Sequence, residues 1–294
     1  MCGIVGIYLK SKKYESSLGN MLSNMLINMG SRGPDSAGFA IYKEDEEENF
    51  KYSLCLNGYD FEKFKKEIVN KITISNIEKN SDHVIMKSKS QPSDVIKILN
   101  KNFKEISIVG YGKSIEIFKQ VGEPKDVVKK FNLSNFSGTH AIGHTRMATE
   151  SAITTDGSHP YSTGEDECLV HNGSLSNHNN LRRKLKKNGI NFNSENDTEV
   201  AAGYISNNLS NKETLKDTLK KCLKDLDGFY TFITGTRKGF AVLRDEIACK
   251  PAVIAETDDY VAIASEFQAM AHLPNVNNAN IFEPEPGVVY SWGN

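Results

Sequence analysis

The chain opens Met1-Cys2-Gly3-Ile4-Val5-Gly6-Ile7, and the reading of this stretch decides the fold. If the initiator Met1 is removed, Cys2 carries a thiol and a free α-amino group, a nucleophile and a base on one residue. The small side chain at position 2 favours that removal. A thiol is a few per cent thiolate at neutral pH, and an α-amino group titrates near pH ~7.7–8.0, so both work in the physiological range. The apolar run that follows, with its two glycines, reads as a buried strand over residues 3–8. Such a strand holds the N-terminus inside a site instead of letting it fray. Taken alone, Cys2 also reads as an ordinary small residue near a chain end.

Composition narrows the classes. A chain of 294 residues suits one large domain or two small ones. A formal charge of −1 favours neither nucleic acid nor an anionic membrane surface. There is no apolar run of the ~18 residues a membrane-spanning helix needs. The N-terminal apolar segment lacks the basic region of a signal peptide. Cys2, Cys55, Cys168, Cys222 and Cys249 are widely spaced and contain no C-x-x-C pair. Neither a disulfide framework nor a metal site is expected, and a reducing cytoplasm fits.

Outward from the first strand, residues 14–29 show Leu18, Met21, Leu22, Met25, Leu26 and Met29 at helical spacing, with Gly30 as a stop. Residues 37–42 read as a second strand. The charge run at 43–49 reads as a solvated hairpin tip. Helical patterns at 61–71, 93–102 and 125–131 and a strand at 106–109 follow. Together residues of about 43–139 read as an insertion within a single domain spanning 2–294. Strands are expected at 141–146 and 168–172, then helices at 176–188, 197–208 and 213–225. Strands return at 229–236, 240–244, 252–256, 260–265 and 288–292, with Gly235-Thr236-Arg237-Lys238-Gly239 as a hairpin loop. Runs of helices followed by runs of strands argue for an α+β fold, not alternating βαβ units.

Four polar clusters stand beside predicted strand ends: Ser31–Gly38, Gly143-His144-Thr145-Arg146-Met147-Ala148-Thr149, His171-Asn172-Gly173 and Asn196-Asp197-Thr198-Glu199. Arg146 offers a planar fork suited to a carboxylate. Asp197 offers an acceptor for an ammonium group. The Asn172 side-chain NH₂ and the Gly173 backbone N–H are natural oxyanion donors. A guanidinium opposing a carboxylate fits an α-amino acid, whose side-chain amide would then reach Cys2. Each piece has a plainer reading: Arg32 or Arg146 in a structural ion pair, Asn172-Gly173 in a turn, Asn196 or Asp197 as a helix cap.

These motifs, in this order with Cys2-Gly3-Ile4, resemble the class II glutamine amidotransferases, the N-terminal-nucleophile type. Three stretches resemble the stand-alone glutaminase subunits of glutamate-synthase-like systems: 151–162 (Ser-Ala-Ile-Thr-Thr-Asp-Gly-Ser-His-Pro-Tyr-Ser), 115–122 (Ile-Glu-Ile-Phe-Lys-Gln-Val-Gly) and 282–290 (Phe-Glu-Pro-Glu-Pro-Gly-Val-Val-Tyr). The resemblance implies a four-layer αββα sandwich of the N-terminal-nucleophile hydrolase type. It implies Cys2 as nucleophile, Asn172 and Gly173 as oxyanion hole, Arg146 and Asp197 on the glutamine carboxylate and ammonium, Thr149 at the substrate's polar end, and Arg32 near the nucleophile, ordering the glutamine loop. The expected reaction is L-glutamine plus water to L-glutamate plus ammonia. A separate synthase subunit would receive the ammonia and carry any flavin or iron–sulfur cluster, with no cofactor or metal in this chain. Met147 departs from the Trp common in sugar-aminating and purine-pathway members, and Glu150-Ser151 from the His-Gly or Tyr-Gly often found there. An amidohydrolase for another γ-glutamyl amide and a non-catalytic glutamine-sensing subunit remain as alternatives.

Overall fold

The first strand, Gly3–Leu9, is buried along nearly its whole length. Val5, Ile7 and Leu9 face one apolar layer, while Ile4 and Tyr8 face another. Alternation therefore buries both faces, which is why the sequence reads as a continuous apolar run and not as an apolar–polar alternation. The computed structural model describes residues 2–45, 48–148 and 152–293.

This strand is near the centre of a seven-stranded sheet, between His140–Arg146 and Tyr260–Ala264, both antiparallel to it. Ser36–Tyr42 and Ile115–Val121 extend the sheet on one side, Val253–Glu256 and Asn280–Phe282 on the other. A second, five-stranded sheet runs in the order Val289–Trp292, Gly239–Arg244, Gly228–Thr236, Glu167–Leu175, Tyr161–Gly164.

Three apolar cores fill the spaces between four layers. Helices Leu18–Asn28 and Pro124–Phe131 cover the outer face of the first sheet. Ile4, Ile142, Ile263, Val170 and Ile233 meet between the sheets. Helices His178–Lys187, Asp197–Ser210 and Leu215–Asp225 cover the outer face of the second sheet. This is the αββα sandwich, and its two sheets face each other directly behind the N-terminal strand.

Residues 50–112 form a separate four-stranded antiparallel sheet with helices Phe61–Ile68 and Pro92–Asn102 on a core of their own. The excursion expected over 43–139 is thus wider than this unit. Ile115–Val121 belongs to the main sheet because Ile115 and Ile117 enter the inter-sheet core while Phe118 enters the helix-side core. The strands flanking the charged stretch 43–49 are not hairpin partners. The strand before it pairs with Ile115–Val121 and His140–Arg146, and the strand after it, Phe50–Cys55, belongs to the other sheet. Glu46 and Glu47 lie outside the described residues. Residues 14–17, expected within the first α-helix, belong instead to a 3₁₀ turn over Lys12–Ser17 ahead of it.

Candidate active site

Cys2 precedes the first strand and is half-buried. The residue after it has to be small: a Cβ on Gly3 would lie 2.7 Å from Thr145 Oγ1 and 3.0 Å from Met29 Cβ. The strand is clamped where it begins. Ile4 N donates to Ser265 Oγ and Ser265 N donates to the Ile4 carbonyl, each at 3.0 Å. Arg32, buried, donates from Nε to the Cys2 carbonyl at 3.0 Å and pairs through its guanidinium with Glu266. The Cys2 thiol lies 3.8 Å from the Met147 carbonyl. A residue held at its carbonyl, with its neighbour locked into a sheet, has little freedom to move.

Cys2 opens onto a cavity of about 550 Å³ that is also lined by Arg146, Met147, Asn172, Gly173, Asp197, Lys250 and Phe229. Four of the predicted residues therefore come together with Cys2: Arg146, Asn172, Gly173 and Asp197. Arg32 touches the Cys2 backbone and is not among the cavity walls, so its contacts are those of a residue that holds Cys2. Thr149 lies outside the described residues.

Arg146 ends its strand, buried. Asp35 secures the turn beyond it: its N–H donates to the Arg146 carbonyl at 3.0 Å, and its carboxylate accepts from Ala148 N at 2.8 Å. Asn172 and Gly173 lie within Glu167–Leu175, on the second sheet. Asn172 is buried, and its Nδ2 has no hydrogen-bond partner among the described residues. A buried donor left unpaired costs stability unless something else uses it. Gly173 has φ +154°, and a Cβ there would lie 2.0 Å from the Phe229 carbonyl, so only glycine fits.

Asp197 begins its helix, with Asn196 as the cap accepting from Thr198 N. Its Oδ2 accepts from Leu175 N at 2.9 Å, which ties the helix start to the strand carrying Asn172. The loop before it is fixed from both sides. Glu199 accepts from Asn193 N and Ser194 N, and Arg182 donates to the Ser194 and Asn196 carbonyls. The carboxylate thus faces the cavity from a rigid support.

Three buried histidines cluster here, and two of them, His159 and His171, also line the cavity. His144 and His159 stack with centroids 3.8 Å apart. His144 Nε2 bonds the His171 carbonyl at 2.9 Å. His159 Nε2 and His171 Nδ1 each lie 2.9 Å from Thr198 Oγ1. Burial drives His144 down to about 3, His159 well below the usual range, and His171 down as well, which disfavours the charged form of each ring. The sequence motifs contain these residues without indicating a role for them. The signal that could have found them lies in His159-Pro160 and in Thr198 beside Asp197. Glu266 and Ser265, far along the chain from Cys2, carry no such signal.

Among the described residues, one group of potential metal ligands gathers: Cys55, Asp82 and His83, with ligand atoms within 4.8 Å of one another. Spacing conceals it because Cys55 and His83 are cross-strand partners. The group lies in the separate four-stranded sheet. His83 Nδ1 bonds Asp82 at 3.0 Å, its ring packs on Phe118 and Phe131, and burial pushes the Cys55 thiol up to about 11. The Cys55 thiol donates to Asn57 Oδ1 and Asp82 also pairs with Lys130, so two of the three groups are engaged outside the cluster. No helix among the described residues is long and apolar enough to cross a membrane.

The geometry agrees with what the chain is similar to. Residues 144–272 match the family model for a glutamine amidotransferase domain. The glutamine amidotransferase-like protein GlxB of Rhizobium meliloti is 50% identical over 99% of this chain and 98% of its own length. A relative from Methanothermobacter thermautotrophicus that bears a glutamine amidotransferase name is 31% identical over 99% of both chains. The solved glutamine phosphoribosylpyrophosphate amidotransferase of B. subtilis superposes with a TM-score of 0.64 at 22% identity, covering 99% of this chain and 47% of that one. The fold is shared with that enzyme, whose chain is about twice as long. This chain belongs to the glutamine amidotransferase family.

Proposed function

We propose that the chain is the glutaminase component of a glutamate-synthase-like system. Cys2, freed of Met1, attacks the carboxamide carbon of L-glutamine. The thiol proton passes through the α-amino group to the leaving nitrogen, ammonia departs, and a γ-glutamyl thioester remains on Sγ. Water then adds, and L-glutamate leaves with the thiol restored. Arg146 receives the substrate α-carboxylate and Asp197 the α-ammonium, which aims the amide at Cys2. Asn172 Nδ2 and Gly173 N–H stabilise the tetrahedral oxyanion. The observation that carries this reading is the unpartnered Asn172 donor in the wall of the cavity that Cys2 opens onto. A donor kept buried and unpaired is what a site poised for an oxyanion contains.

The ammonia goes to a separate synthase-type subunit, on which any flavin or iron–sulfur cluster resides. Support for this comes from the three stretches that resemble such systems, 115–122, 151–162 and 282–290. Glutamate release from L-glutamine, measured with and without the Cys2→Ala substitution, tests the chemistry. Wild-type turnover lost in Cys2→Ala supports it; equal rates in both chains refute it. Co-purification of the chain from its native source tests the partner, which is expected to be a flavoprotein.

A further inference from the structure

The Thr198 hydroxyl sits among three polar groups. It lies 2.9 Å from His159 Nε2, 2.9 Å from His171 Nδ1 and 3.4 Å from Asp197 Oδ1. A hydroxyl has one proton and two lone pairs. A carboxylate only accepts, so the bond to Asp197 requires the Thr198 proton. The two imidazole nitrogens must then be N–H donors filling the lone pairs. Of the nitrogens left bare by this count, His159 Nδ1 is buried without a partner among the described residues, whereas His171 Nε2 makes no hydrogen bond of good geometry but faces the Phe229 carbonyl. His144 Nε2 faces a carbonyl and must donate, and its bare Nδ1 is likewise unpartnered.

We propose that Thr198 is the positioning residue of the ammonium arm, its proton committed to Asp197 by N–H groups of His159 and His171. The inference rests on reading Asp197 as the acceptor of the substrate ammonium. A neutral cluster suits an ammonium site, because charged imidazolium rings this close would compete with the substrate for the carboxylate. Through His144, the same cluster holds the His171 carbonyl, one residue before the Asn172 donor. Recognition of the amino acid and placement of the oxyanion hole therefore share a support.

Two readouts test this. The first is imidazole ¹⁵N spectroscopy on the full chain without ligand. It should show Nε2–H at His144 and His159 and Nδ1–H at His171. The competing arrangement places Nε2–H on His171, which faces the Phe229 carbonyl. Thr198 would then donate to His171 and not to Asp197, and that result overturns the proposal. The second is calorimetric binding of L-glutamine and of its des-amino analogue, 5-amino-5-oxopentanoate, to Cys2→Ala. The ratio of the two affinities isolates the ammonium contact. Thr198→Val should cut that ratio on the order of tenfold, and Thr198→Ser should restore it. The backbone bond from Thr198 N to the Asn196 cap is untouched by either substitution. Equal weakening of both ligands by Thr198→Val would make Thr198 merely structural and refute the proposal. Equal affinity of the two ligands before Thr198 is altered would refute the assignment of Asp197 itself, and the proposal with it.

Discussion

Asn172→Ala should separate activity from stability. The substitution removes a buried amide whose Nδ2 has no partner among the described residues. Losing one oxyanion donor costs about 10²–10³ in turnover, roughly 2.7–4 kcal/mol of transition-state stabilisation. On the folding side two effects oppose. An unsatisfied buried donor costs about 1–3 kcal/mol, which the substitution relieves. The void left behind costs a similar amount, because the surrounding strand relaxes only in part. The net change in stability should lie within about 1 kcal/mol of zero. Substrate contacts assigned to Arg146 and Asp197 stay in place, so KM should change little. Glutamate release at saturating and limiting glutamine, with a thermal melt of each chain, reads all three quantities. Turnover within about threefold of wild type, far short of the loss expected for an oxyanion donor, would refute the assignment. A large fall in melting temperature with parallel loss of binding would show that Asn172 supports the fold and not the reaction.

The other expectations follow from the same geometry. Arg146→Lys loses the planar fork and should raise KM for glutamine at least about tenfold with kcat less affected, measured by steady-state kinetics; wild-type KM would exclude the carboxylate role. Gly173→Ala places a Cβ 2.0 Å from the Phe229 carbonyl at φ +154°. The strand must shift, so both turnover and stability should fall, the latter by about 1–3 kcal/mol; an unperturbed melt would contradict the contact. Stability should also fall in acid. Burial holds His140 at about 4 and His144 at about 3 in the folded chain, below the ordinary imidazole value. Between pH ~6.5 and those values the unfolded chain binds more protons, so stability is full above ~6.5 and declines as pH drops, by about 1.4 kcal/mol per unit for each ring. Denaturation midpoints that do not change between about pH 7 and 5, a window spanning the ordinary imidazole value, would show that the rings are not buried as neutral groups.

The legible part of the fold lies where both faces of a strand are apolar or where a helix has one apolar stripe. Ile4-Val5-Gly6-Ile7 and the Leu18–Met29 stripe mark their elements directly. The strands of the separate sheet are hidden for a physical reason. Ile74–Asn80 is an edge strand with a register shift and no fully buried position, so no alternation marks it. Ile115–Val121 cannot be assigned to the main sheet from local pattern, because its membership depends on pairing with Ser36–Tyr42. At the site, residues proposed to act through side-chain type, such as Cys2, Arg146 and Asp197, are readable from their motifs. Residues that act through position are not. Glu266 reaches Cys2 only through Arg32, and Thr198 matters because separate segments converge on its hydroxyl.

Every step of the proposed reaction depends on a processed Cys2 attacking a bound glutamine. Intact mass after incubation with an electrophilic glutamine analogue reads this event without a coupled assay. The chain should lack Met1 and gain one adduct, competed away by L-glutamine and absent in Cys2→Ala. An unmodified chain, or an adduct that persists in Cys2→Ala, would contradict the proposed chemistry.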